Sequence, residues 1–186
     1  MTYWGELVGI RLLRPGDAGA LRRFAMNPEV ADLLFEEKGG PVPSIIALAG
    51  MIFSQWISGK PEFAILSRTG QVIGAVRLWR VSEGNRSAML TIFIGDPRFW
   101  GRGYGTEALR LVLKHAFGPM GLHRVELHVF DFNTRAIRCY EKVGFVHEGA
   151  RRQALVRHGR YHDILVMGVL DRDFFLREAE RNSTRQ

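Results

Sequence analysis

Apolar and β-branched residues crowd positions 6–13, ELVGIRLL, and stop at Arg14-Pro15-Gly16, which predicts a strand followed by a turn. A helix is expected to follow through Phe24. Asn27-Pro28 then supplies an N-cap with proline at the first helical position of another short helix. Ser44 is placed to cap the apolar segment IIALAGMIFSQWI, Ile45 to Ile57, which ends near Ser58 and Gly59. Ser54 and Gln55 interrupt this segment, and it is shorter than the roughly 17 to 25 residues that cross a bilayer, so it reads as a buried or lid helix.

Strand patterns follow at 62–68, 71–81 and 87–95, the first two separated by Thr69-Gly70 as a hairpin turn, with antiparallel pairing the economical arrangement. Downstream, Ala108, Leu109, Val112, Leu113 and Ala116 recur at helical spacing until Gly118-Pro119, and HRVELHVF (123–130) alternates as a strand. Residues 87–130 therefore predict a strand, a glycine-rich turn, a helix and a second strand, the pattern of a parallel crossover. A helix between Asn133 and Gly144, two strands (FVHEGARRQAL and HDILVMGVL) and a charged helix from about Asp171 complete an α/β chain. With no linker, low-complexity tract or repeat, residues 1–186 are expected to form one domain.

Composition narrows the chemistry. The chain is 46% hydrophobic and 24% charged, the balance of a globular protein. Its start lacks the pattern of a secretory signal, so a cytoplasmic location and no membrane association are expected. Cys139 is the only cysteine, and His123 and His128 are five apart in a predicted strand, so no metal site is expected. The net charge of +7 is carried mostly by arginine and favours anionic ligands. Paired arginines occur only at 22–23 and 151–152, so no basic arm marks a nucleic-acid binder.

Glycines at 101, 103 and 105 open the helix that follows the third strand. The first N–H groups of a helix lack intrahelical partners and carry partial positive charge, so bare backbone there can wrap a phosphate, with Arg98 and Arg102 flanking it. The plainer alternative is a tight turn. Neither G-x-x-x-x-G-K-[ST] nor G-x-G-x-x-G is present, which disfavours an ATPase or a dinucleotide enzyme. In NTRAIRCYEKVGF, Asn133, Ala136 and Tyr140 share one helical face, while Arg135, Arg138 and Lys142 form a neighbouring stripe. An ordinary amphipathic helix with Tyr140 in the core is the competing account.

Taken together, the two constellations resemble the GNAT superfamily of acyl-CoA-dependent N-acetyltransferases, in the branch holding ribosomal-protein alanine N-acetyltransferases and spermidine acetyltransferases. The resemblance runs from GIRLLRPGDAGAL through GRYHDILVMGVL. It is sharpest at Trp100-Gly101-Arg102-Gly103-Tyr104-Gly105, against the family's [QR]-x-x-G-x-[GA] loop, and at Asn133, Ala136, Tyr140, Lys142, Gly144 and Phe145. It implies a GNAT fold, a mixed and mostly antiparallel sheet of about seven strands with helices on both faces. It also implies acetyl-CoA as acyl donor, with its pyrophosphate held by backbone at 101–105 and the Arg98 to Thr106 segment around it. Phe93 and Ile94 would pair with the pantetheine arm, Asn133 would contact that arm, Arg138 would assist donor binding, and Tyr140 would protonate the departing thiolate. Trp100 departs from the family's Gln or Arg, so a side-chain phosphate contact from that position is not expected.

Many relatives carry a glutamate on the strand before the loop, in an AEL-like context, where this chain reads Ala88-Met89-Leu90. Methionine cannot accept a proton, which leaves Glu36, Glu37, Glu62 and Glu126 as base candidates by residue type. An α-amine with a pKa of about 7.7 to 8.0 is far easier to use without a base than a lysine-like amine near 10.4. The expected acceptor is therefore an N-terminal or weakly basic amine, with a polyamine or aminoglycoside as the alternative. Glu36-Glu37 is the acidic pair that could line a polyamine pocket. A non-catalytic acyl-CoA-binding regulator is the alternative of another class, and a monomer or homodimer is expected.

Overall fold

Alternating apolar positions and well-placed caps give the computed structural model its elements, with residues 2–34, 44–57 and 62–184 described. The chain divides into two compact units, Met1–Trp79 with Thr91–Val112, and Arg80–Leu90 with Leu113–Gln186. Among the described residues eight strands form a mixed, mostly antiparallel sheet.

The first unit contains β1 (Thr2–Trp4), β2 (Val8–Leu12), α1 (Ala18–Ala25), α2 (Pro28–Leu34), α3 (Ile45–Ile57) and β3 (Glu62–Ser67). It also holds most of β4 (Val72–Ser82), the end of β5 (Ser87–Ile94) and the beginning of α4 (Tyr104–Phe117). Its hydrogen-bonded order is β1-β2-β3-β4-β5, with β1, β2, β3 and β4 antiparallel in turn. Three expected devices are present. Asn27 accepts from the Glu29 N–H at 3.0 Å, Ser44 Oγ from the Ala47 N–H at 3.2 Å, and Gly70 turns the β3–β4 hairpin with φ +81°. Leu13, Ala18, Ile52, Ala64 and Leu66 make a core cluster under α1 and α3. In α3, expected as a buried or lid helix, Ile52 is 5% exposed, whereas Ile46 is 85% exposed.

The second unit continues β5 and α4 and adds β6 (Arg124–Phe130), α5 (Thr134–Val143), β7 (Val146–Arg157), β8 (Arg160–Leu170) and α6 (Asp171–Ser183). The parallel crossover is present, with Ser87 opposite Arg124 and Met89 opposite Glu126. β8 pairs antiparallel with both β6 and β7, and Phe130, Leu155 and Ile164 pack together beneath them.

The expected mixed sheet of about seven strands is present, and among the described residues the short β1 joins it as an eighth by pairing with β2, where the Trp4 indole lies over Gly9 at 2.6 Å from a Cβ built there. Two local expectations need adjustment. Pro15–Asp17 is a 3-10 helix, held by the Asp17 carboxylate accepting from the Arg14 N–H at 2.8 Å. His123 precedes β6 instead of starting it, with Nδ1 3.1 Å from Asp171.

Candidate functional site

The expected site residues divide between the two units, the glycine loop in the first and the Asn133–Gly144 helix in the second. In the first unit, β4 and β5 approach closely at Gly74, where a Cβ would collide with the Phe93 carbonyl oxygen. The Gly95 N–H donates to the Ile73 carbonyl at 2.8 Å, and the Phe93 ring meets Phe24 edge-on at 6.4 Å. The strand thus delivers Phe93 and Ile94 to the mouth of the glycine loop.

Asp96 caps the 3-10 helix Pro97–Phe99 by accepting from the Arg98 N–H at 3.0 Å. The Arg98 guanidinium folds back onto the same carboxylate, with Nη2 to Oδ2 at 2.6 Å, so this fork is engaged locally even though the side chain is 77% exposed. That pairing holds the Asp96 carboxyl below its ordinary range. Trp100 anchors the loop through its ring. Its indole N–H donates to the Ile94 carbonyl at 2.7 Å, tying the loop to the strand end.

Gly101 (φ +72°) and Gly103 (φ +86°) are left-handed, while Arg102 between them is not. Alternating hand turns successive amides toward one side, which is the geometry of an anion nest. A Cβ at Gly101 would meet nothing within 4 Å, so the backbone there is open to a ligand. α4 starts immediately, with the Glu107 N–H donating to the Gly103 carbonyl at 3.0 Å and with Tyr104, Gly105 and Thr106 in its first turn. Backbone N–H groups at such a helix start carry a field that favours an anion.

In the second unit, Asn133 caps α5 by accepting from the Ala136 N–H at 3.2 Å, and Gly144 closes the helix at φ +114°. Tyr140 is buried beside Phe145, ring centres 5.9 Å apart, and burial, with Cys139 adding to it, pushes its phenol well above the ordinary value. A neutral phenol is therefore maintained, a donor by default. Arg135, Arg138 and Lys142 occupy the exposed side of the same helix.

Met89, which cannot act as a base, lies 3.9 Å from Arg80 through its sulfur, and the glutamate candidates have distinct surroundings. Glu126, in register with Met89, is paired with Arg124 at 2.8 Å and lies 3.6 Å from His128. Glu62 faces Arg77 at 3.2 Å, yet burial outweighs that partner and raises its carboxyl. Glu36 and Glu37 lie outside the described residues.

Two arrangements escaped the sequence reading. His162 Nδ1 is 2.9 Å from Asp131, which also accepts from the Asp163 N–H at 3.0 Å; residues 31 apart carry no joint local signal. Glu107 receives backbone donors from residues 6–8, for which an acidic residue in the first helical turn was the available clue.

Comparison with known proteins agrees with this architecture. Residues 8–146 match the acetyltransferase (GNAT) domain family. A spermidine N(1)-acetyltransferase of Vibrio cholerae is 29% identical over 170 residues, spanning 90% of this chain and 95% of the relative. A putative ribosomal N-acetyltransferase, YdaF, of Bacillus subtilis is 27% identical, spanning 91% and 94% respectively. The crystal structure of the Vibrio cholerae spermidine N-acetyltransferase in complex with CoA and spermine superposes with a TM-score of 0.82 at 26% identity, covering 92% of this chain and 99% of that one.

Proposed function

The chain belongs to the GNAT acetyltransferase family and so is an acyltransferase using acetyl-CoA, and from that premise we propose that it acetylates a primary amine of a small polyamine. The observation that carries this reading is the end-to-end likeness to a relative named for spermidine, whose structure holds CoA and spermine. The expectation of an N-terminal protein amine finds no support there and gives way to the polyamine alternative.

In this reading the amides of residues 101–105 hold the donor diphosphate and the β5 edge at Phe93 and Ile94 aligns the pantetheine arm. Arg102 adds positive charge, Arg98 acts through the Asp96 cap, and the exposed Arg138 of α5 faces solvent as an anion partner. Asn133 uses its oxygen to cap α5, leaving its amide nitrogen as the donor for a ligand. The acetyl group moves when the neutral amine attacks the thioester carbon, the C–S bond breaks and the thiolate takes a proton. A phenol raised above about 10 is a weaker acid than a thiol near 8.5, so Tyr140 acts by hydrogen-bonding the sulfur as charge builds, and the proton that the attacking amine sheds is the one the thiolate finally takes. Using a polyamine costs roughly 3 to 4 kcal/mol relative to an α-amine, since so little is neutral near pH 7. Glu62, part-buried against Arg77 with its proton affinity raised, stays a base candidate by residue type, as does Glu126.

The test is an acceptor panel of spermidine, spermine, an aminoglycoside and peptides with free α-amines, read as CoA release. Polyamines are expected to give the highest kcat/KM. Peptides outpacing them by a wide margin would reverse the assignment, and CoA binding without release on any amine would mark a regulator. Tyr140→Phe, run alongside, is expected to lower kcat about 100-fold while leaving acetyl-CoA binding intact.

A further inference from the structure

Glu107 sits in the first turn of α4, yet its carboxylate reaches out of the helix to the β1–β2 connection. Oε1 accepts from the Glu6 N–H at 2.8 Å, and Oε2 accepts from the Leu7 N–H at 2.6 Å and the Val8 N–H at 2.8 Å. These donors are about a hundred residues away in the chain, so this is no local helix cap. Gly5 completes the wrapping: its N–H closes the turn onto the Val8 carbonyl at 2.8 Å, and a Cβ at Gly5 would meet the carboxylate carbon at 2.5 Å. The connection held in this way presents Leu7 to the glycine loop, its Cδ1 lying 3.4 Å from where a Cβ of Gly103 would be.

We propose that Glu107 is a positioning residue for the donor diphosphate: by fixing residues 6–8 it seats Leu7 behind Gly103 and keeps the loop amides turned toward the ligand. The inference rests on the reading that residues 101–105 hold that diphosphate. Charge alone would give Glu107 the opposite effect. A carboxylate one turn from an anion site repels the anion, so removing it should tighten binding. Positioning requires that removal to loosen binding. Glutamine has one acceptor oxygen and would set its NH2 group against at least one of the backbone donors.

The experiment compares acetyl-CoA with S-acetylpantetheine, which has the same thioester and no nucleotide diphosphate, on the wild-type chain, Glu107→Gln and Leu7→Ala. Glu107→Gln is expected to raise KM for acetyl-CoA about tenfold at nearly unchanged kcat and polyamine KM. Its kcat/KM with S-acetylpantetheine is expected to stay at the wild-type value. Leu7→Ala, which alters neither charge nor the carboxylate's hydrogen bonds, should shift the acetyl-CoA KM in the same direction by less, and it keeps the test decisive if Glu107→Gln does not fold. Tighter acetyl-CoA binding in Glu107→Gln, equal losses on both donors, or no change in either variant overturns the positioning role. A wild-type chain that fails to distinguish the two donors overturns the diphosphate reading itself, and this inference with it.

Discussion

Asp17 gathers three donors onto one side chain: Arg11 Nη1 at 2.7 Å, Arg11 Nη2 at 2.8 Å and the Arg14 N–H at 2.8 Å. Burial pushes the carboxyl up, but Arg11 and the Arg14 N–H more than offset it, so Asp17 titrates below the ordinary carboxylate range in the folded chain. A depressed folded pKa gives stability that is complete above the unfolded value of about 3.9 and is lost as pH falls through the lower folded value. Asp17→Asn is accordingly expected to cost about 2 to 3 kcal/mol at pH 7 and progressively less in acid, read from urea midpoints across pH. Equal midpoints for the two proteins at pH 7 would count against this account. Asp17 was visible in the sequence only as part of RPGD, since its partner Arg11 becomes a neighbour through the 3-10 turn.

Among elements, the glycine loop separates backbone strain from ligand space. Gly101 and Gly103 both hold left-handed φ, where alanine costs roughly 1 to 2 kcal/mol, but open space surrounds the Cβ position at 101 while Leu7 stands near the one at 103. Gly101→Ala is expected to raise the acetyl-CoA KM about tenfold, by placing a methyl group where the diphosphate would lie. Thermal shift with and without CoA checks it, and undiminished stabilisation by CoA would place the ligand elsewhere. Most elements were legible because their signals are local: the caps at Asn27, Ser44, Asn133 and Gly144, and the switch from alternating to helical spacing across residues 87–117. β1 was not legible, because three residues are too few for alternation and its pairing with Gly9 to Arg11 is a tertiary fact.

For the molecule as a whole, a net charge of +7 draws an anionic donor and repels a polycationic acceptor. Raising salt from about 50 to 300 mM should therefore raise KM for acetyl-CoA and lower it for spermidine, measured in parallel at fixed pH. A spermidine KM that instead climbs with salt would show a local acidic pocket overriding the global charge. Among the described residues no helix is long and apolar enough to cross a membrane. The family and its donor were readable from two motifs, but the acceptor was not. Met89 argued for a weakly basic amine, whereas the polyamine proposal rests on likeness to a relative named for spermidine, because acceptor choice depends on a few side chains drawn from separated segments.

What the sequence determined alone is the order of strands and helices from β2 onward, the bare backbone at 101–105 and the capped helix carrying Tyr140, since each is written in spacing over a dozen residues or fewer. Only the tertiary structure decided that His162 meets Asp131 and that Glu107 gathers the amides of residues 6–8. A donor finds its acceptor by distance in space, and chain folding sets that distance without leaving a mark in either residue's local pattern.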